Sequence, residues 1–213
     1  MTSAARLILT LAILLACARV YAQTYEVSIQ AVVPRFRGEL GSLVTGDERD
    51  NDTRLIGRNG FGARLTVNTR GYYGHEFSYF DMRAIFSTQV IPQGATVRVL
   101  KEDKVKVRLG AYNFLLYMMP RGERWRPYLT GGLQAHEYGA PNITEFTTGR
   151  SRNYGANYGA GIKVRLFPNV LLRADFRHYF GGRPYDLTFE DQTRFGGIYK
   201  SLEGSAGIVI GFR

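Results

Sequence analysis

Two periodicities, one nested in the other, constrain this chain more than any single residue does. Eight stretches alternate apolar residues with small, polar or charged ones at every second position, at about 25–36, 59–69, 74–87, 104–117, 127–137, 153–167, 169–180 and 199–212. A period of two means a strand with two unlike faces. The connections alternate as well. Residues 37–58 form a long one, 70–73 a short one, 88–103 a long one, 118–126 an intermediate one and 138–152 a long one; little more than Pro168 makes the sixth, and 181–198 is long again. Long loops on one side and tight turns on the other, with an even strand count, are the asymmetry of a barrel that crosses an outer membrane with both ends in the periplasm. A closed barrel is also one of only two ways to satisfy every backbone polar group in lipid. The predicted fold is therefore all-β: an eight-stranded antiparallel transmembrane β-barrel, an up-and-down meander.

The last strand shows the two faces plainly. Leu202, Ala206, Ile208, Ile210 and Phe212 share one parity, while Ser201, Glu203, Ser205, Gly207, Val209 and Gly211 share the other. Leu202, Ile208, Ile210 and Phe212 are the expected lipid-facing residues of a strand that closes the barrel. In the sixth segment Tyr154, Ala156, Tyr158, Ala160, Ile162, Val164 and Leu166 oppose Asn153, Asn157, Lys163, Arg165 and several glycines. In the seventh Leu172, Ala174 and Phe176 oppose Arg173, Asp175 and Arg177. Phe61, Ala63, Leu65 and Val67 oppose Arg64, Thr66 and Asn68 in the second, and Val105, Val107, Leu109 and Ala111 oppose Lys104, Lys106 and Arg108 in the fourth.

If the apolar parity meets acyl chains, the lumen receives Arg64, Glu76, Lys106, Arg108, Lys163, Arg165, Arg173, Asp175, Arg177 and Glu203. An eight-stranded barrel is just wide enough for side chains to fill, so these charges must pair, and the expectation is a salt-bridge plug. A soluble ligand-binding barrel of the lipocalin kind would invert the faces, which alternation alone allows. The loop asymmetry weighs against it. So do glycines that share the parity of the charges, and tyrosines and phenylalanines near strand ends (Tyr25, Phe36, Tyr72, Tyr73, Tyr117, Tyr128, Phe167, Phe180), placed as an interfacial girdle would be.

The N-terminus carries an address. One positive charge, Arg6, precedes an apolar run over residues 7–16 that is too short to cross a bilayer as a helix, and Val20-Tyr21-Ala22 fits a small-residue cleavage site. Residues 1–22 read as a secretory signal peptide, leaving 23–213 as one barrel domain. Leu14-Leu15-Ala16-Cys17 resembles a lipobox, so lipidation of Cys17 is the alternative to cleavage after Ala22. Cys17 is the only cysteine, and its loss with the leader would leave no disulfide, thiol nucleophile or thiolate site. Removing the leader takes Arg6 and Arg19 from a formal charge of +10. The strongly basic remainder of an exported protein points to lipid phosphate or surface polysaccharide as acidic partner rather than to nucleic acid.

Some runs resemble a known family. The run Asn153-Tyr-Gly-Ala-Asn-Tyr-Gly-Ala-Gly-Ile-Lys-Val-Arg-Leu-Phe-Pro-Asn-Val-Leu-Leu-Arg-Ala-Asp-Phe-Arg-His-Tyr179 is similar to the penultimate hairpin of the OmpA-like outer-membrane β-barrel domain family. Arg126-Pro-Tyr-Leu-Thr-Gly-Gly132 resembles that family's fifth strand. Gly60-Phe-Gly-Ala-Arg-Leu-Thr-Val-Asn68, followed by Gly74-His-Glu-Phe-Ser-Tyr79, resembles its first periplasmic hairpin. The resemblance implies an eight-stranded barrel in the cell envelope of a Gram-negative bacterium, inserted with the help of periplasmic chaperones and the barrel-assembly machinery. It implies no single activity, since members are structural, adhesive, recognition or weakly conducting proteins.

No catalytic constellation stands out. His178 lies near the outer end of the seventh strand, but His178-Tyr179-Phe180 lacks the serine two residues on that lipid A deacylases of similar shape carry, and a hydrolase needs such a nucleophile beside its base. Asp47, Glu48, Asp50 and Asp52 could gather around a cation, yet Arg49 and Arg54 interrupt them and the spacing misses the EF-hand pattern. No cofactor or metal is expected. The function expected is a structural, adhesive or surface-recognition role without a through-pore, presented on the long loops by Arg98, Arg150, Arg152, Arg183, Tyr185 and Arg194 to lipopolysaccharide, other outer-membrane lipids or an extracellular partner. The alternatives are a small ion-conducting pore and a soluble ligand-binding barrel.

Overall fold

The computed structural model describes residues 24–38, 40, 53–69, 71–90, 97, 99–144, 146, 149–185, 187 and 198–212. The leader with Cys17, the acidic-basic run at 47–52, Arg98 and Arg194 lie outside the described residues. Eight strands are present: β1 Thr24–Arg37, β2 Arg54–Thr69, β3 Tyr73–Val90, β4 Val99–Tyr117, β5 Trp125–Tyr138, β6 Ser151–Phe167, β7 Val170–Gly181 and β8 Tyr199–Phe212. Each pairs with its sequence neighbours, and β8 pairs with β1 from Tyr25↔Phe212 up to Arg37↔Lys200, so the sheet closes as a meander barrel. The periplasmic end is tied tightly. Gly71 turns with φ of 73° between β2 and β3, a backbone that only glycine adopts freely, and Gly211 N–H donates to the Asn169 carbonyl at 2.9 Å.

Several strands start or stop beyond the stretches read from alternation. The extra length lies at the outer end, where β2 begins at Arg54, β3 runs to Val90 and β4 starts at Val99. The β3–β4 ladder continues to Val90↔Val99, whereas β4 and β5 part at Val107↔Tyr138, so this hairpin stands above its neighbours. A bulge in β2 between Gly57 and Gly60 offsets its register against β3. Bulges sharpen the local twist, and the β1–β2 ladder ends at the same height, at Val32↔Gly60.

The apolar parity faces outward. Ile29 is 70% exposed, Phe61 69%, Leu133 67% and Tyr154 74%, the reverse of a soluble ligand-binding barrel. Leu202, Ile208, Ile210 and Phe212 lie on that outer surface of β8. The sequence reading of β4 needs correction. Val105, Val107 and Leu109 are buried inside, and Lys106 and Arg108 point out. Their parity is that of Tyr112, Phe114 and Leu116, which face outward lower on the same strand. Above the acyl layer the outward face meets water, so the same parity turns from aromatic to basic. Tyr117 and Tyr128, placed by the sequence in the girdle, are 1% exposed and lie in the lumen.

Candidate functional site

The lumen holds two stacked plugs of opposite chemistry. The lower one is ionic. Arg64 on β2, Glu76 on β3, Arg173, Asp175 and Arg177 on β7, and Glu203 on β8 are all buried. Alternation turns each inward, and the register sets Arg177 opposite Glu203 and Glu76 opposite Thr66. Arg173 grips Asp175 with two bonds, Nε to Oδ2 at 2.8 Å and Nη2 to Oδ1 at 2.9 Å, and its Nη1 reaches Glu76. Arg177 Nη2 donates to Glu76 Oε1 at 2.6 Å and lies 3.3 Å from Asp175 Oδ1. Arg64 sits 2.9 Å from Asp175 and 3.1 Å from Glu203, with Glu76 at 3.8 Å. Three guanidiniums thus face three carboxylates. Ionised carboxylates accept such forks best, and a balanced set avoids the several kcal/mol that an unpaired buried charge costs.

Neutral donors complete the set. Tyr128 O–H donates to Asp175, and Thr66 Oγ1 donates to Glu76 Oε2 at 3.0 Å. Below lies a second ion pair, Lys163 with Glu26. Lys163 Nζ also donates to the Tyr117 hydroxyl at 2.8 Å, and Asn68 Nδ2 to Glu26 Oε1 at 2.8 Å. Arg126 covers the Tyr117 ring with Cζ 3.5 Å from its centroid, closing the periplasmic mouth. Glycine makes room here: a Cβ at Gly161 would collide with the Tyr128 hydroxyl and ring.

The upper plug is apolar. Phe80, Met82, Ala84 and Phe86 from β3 meet Val105, Val107 and Leu109 from β4, with Val32, Tyr138, Tyr179 and Tyr199 around them. Loop residues fold down onto this layer. Tyr185 packs edge-on against Phe86, Phe146 and Tyr138, and its hydroxyl donates to the Gly139 carbonyl at 2.5 Å.

Of the ten charges expected in the lumen, Arg64, Glu76, Lys163, Arg173, Asp175, Arg177 and Glu203 are buried there together. Lys106 bonds Asp81 at 2.9 Å and Arg108 bonds Glu137 at 2.9 Å, both on the outer surface. Arg165 lies at the periplasmic rim, where its Nη1 donates to the Gly122 carbonyl at 2.7 Å. Among the loop candidates, Arg150 and Arg152 are exposed and both reach Glu137, at 3.5 and 2.9 Å. Arg183 is half-buried, its carbonyl accepting from Asn153. Tyr185 is a correction: it is 1% exposed, because a ring at the mouth of an apolar chamber gains more by packing inward than by meeting water. Glu26 was missed, although Glu26, Ser28 and Gln30 alternate with Val27, Ile29 and Ala31. Among the described residues no three His, Cys, Asp or Glu side chains gather as a metal site.

A closed meander with an apolar exterior and an internally paired polar core defines a transmembrane β-barrel. The chain belongs to the outer membrane protein beta-barrel domain family, whose profile matches residues 8–197. Its architecture is similar to three solved barrels. OprG from Pseudomonas aeruginosa is 10% identical over 90% of this chain and 97% of its own, with a TM-score of 0.59. The N-terminal barrel domain of OprF from the same organism is 16% identical over 88% and 97%, at 0.52. Ail, the attachment invasion locus protein of Yersinia pestis, in complex with the heparin analogue sucrose octasulfate, is 13% identical over 89% and 99%, at 0.51. At these identities the shared feature is the fold. A search of curated protein sequences finds no match.

Proposed function

We propose that this chain is an integral outer-membrane barrel that acts through its outer surface, in a structural, adhesive or recognition role, and neither conducts solutes nor catalyses a reaction. The lumen carries this reading: a charge-balanced plug and an apolar plug lie in series in a barrel too narrow to hold more than its own side chains. The same reading makes residues 1–22 an export leader removed after Ala22. What remains for contact is the outer rim, where β3 and β4 rise above their neighbours and Arg150 and Arg152 are exposed. The refolded chain in a planar lipid bilayer should pass no steady current, and discrete ohmic steps in 1 M KCl would overturn the proposal.

A further inference from the structure

Outward-facing residues on β2 to β6 change character within one row of the sheet. Ala63, Tyr79, Gly110, Ala135 and Tyr154 are register partners in turn, an apolar row with small residues between two tyrosines. The next row outward is Phe61, Asp81, Arg108, Glu137 and Arg152. Above it Arg83 stands directly opposite Lys106. Like charges directly opposed across a ladder destabilise a sheet; Asp81 answers Lys106 at 2.9 Å, which leaves Arg83 to call for an anion. Lys104 and Arg150 extend the patch, making six cations against Asp81, Glu137 and the neighbouring Glu102. Glu137 is outnumbered, lying 2.9 Å from Arg108, 2.9 Å from Arg152 and 3.5 Å from Arg150.

A second observation lies at the same place. The β2 bulge leaves an outward-open cleft of about 520 Å³ lined by Asn59, Phe61, Asp81, Arg83, Lys104 and Lys106 among others. Its apolar floor at Phe61 continues down the lipid-facing side of the barrel, while its rim sets Arg83, Lys104 and Lys106 against the single acid Asp81. A free anion uses only the rim, whereas an amphiphile with a phosphate above an acyl chain uses both.

We propose that this cleft and its basic rim form a binding site for a phosphorylated lipid of the outer leaflet, with the phosphate held by Arg83, Lys104 and Lys106 and an acyl chain laid over Phe61 and the trough at Gly110. The inference deepens the reading of the chain as a closed barrel acting through its outer surface and rests on it. Conductance judges that reading and lipid titration judges this one, so either can fail alone.

The experiment titrates the full chain, refolded in neutral detergent micelles, with bisphosphorylated lipid A, with its dephosphorylated form and with inorganic phosphate. Binding is expected for the first alone. The triple variant Arg83→Gln, Lys104→Gln, Lys106→Gln should bind on the order of a hundredfold more weakly, since each basic side chain at an anionic lipid surface contributes about fivefold. Its anomalous migration in SDS before boiling should persist and report an intact barrel. The control triple Arg121→Gln, Arg124→Gln, Arg165→Gln removes the same charge from the opposite, periplasmic end of the barrel and should bind like the parent. Equal losses in both triples, no loss in the first, or equal binding of inorganic phosphate or the dephosphorylated lipid would each overturn the site.

Discussion

Glu76 touches all three arginines of the ionic plug, whereas Glu203 pairs with Arg64 alone. Removing one partner of a buried ion set leaves the others uncompensated, so Glu76→Gln should cost about 3–5 kcal/mol. Glu203→Gln should cost clearly less, because Arg64 keeps Asp175 at 2.9 Å. Urea unfolding in micelles, followed by tryptophan fluorescence from Trp125, measures both, and equal losses would contradict the assigned hierarchy. Gly161→Ala tests the same plug through packing. The added methyl displaces Tyr128 from Asp175, an overpacking that should cost about 1–3 kcal/mol. At this scale the sequence was legible where a charge sat on a clearly alternating strand, as for Arg64, Lys163 and Asp175. Glu26 carries the same alternation, but Tyr117 and Tyr128 were not legible, because their inward placement depends on neighbouring strands. Nor was Tyr185, whose place depends on how a loop folds over the mouth.

Strand β4 shows what alternation does and does not carry. Its parity is constant from end to end, but the medium on each face is not. Outside, Tyr112, Phe114 and Leu116 meet acyl chains while Lys104, Lys106 and Arg108 stand above them; inside, Val105, Val107 and Leu109 join the apolar plug while Asn113 and Tyr117 lie lower. A rule that sends charges inward therefore fails at the height where the strand leaves the hydrocarbon. Cysteine labelling separates the two assignments. A Lys106→Cys variant should react rapidly with a water-soluble maleimide in the folded barrel, and Val107→Cys only after unfolding. The reverse pattern would restore the assignment that placed Lys106 in the lumen. Strand number, order and the alternation of loop lengths were all legible, because they follow from hairpin geometry alone.

In the whole molecule the two plugs act in series, so breaching one should not open a path. Tyr185→Ala removes a ring that spans Phe86, Phe146 and Tyr138 yet leaves the ionic plug intact. Its bilayer conductance should stay at the baseline of the parent, and a current from this single change would show that the lower plug does not seal.

The girth of the greasy collar is uneven. On β3 the outward residues pass from Tyr73 to Tyr79 before Asp81 interrupts them, whereas on β7 they run from Val170 to Phe180. With strands inclined near 40°, the first stretch spans roughly 18 Å and the second roughly 28 Å. A bilayer of even thickness cannot match both. Either the cylinder leans, or the leaflet dips on the β2 to β4 flank and draws the water boundary down to Arg83 and Lys106. The protein then dents the sheet that holds it, and does so on the flank where its basic rim waits.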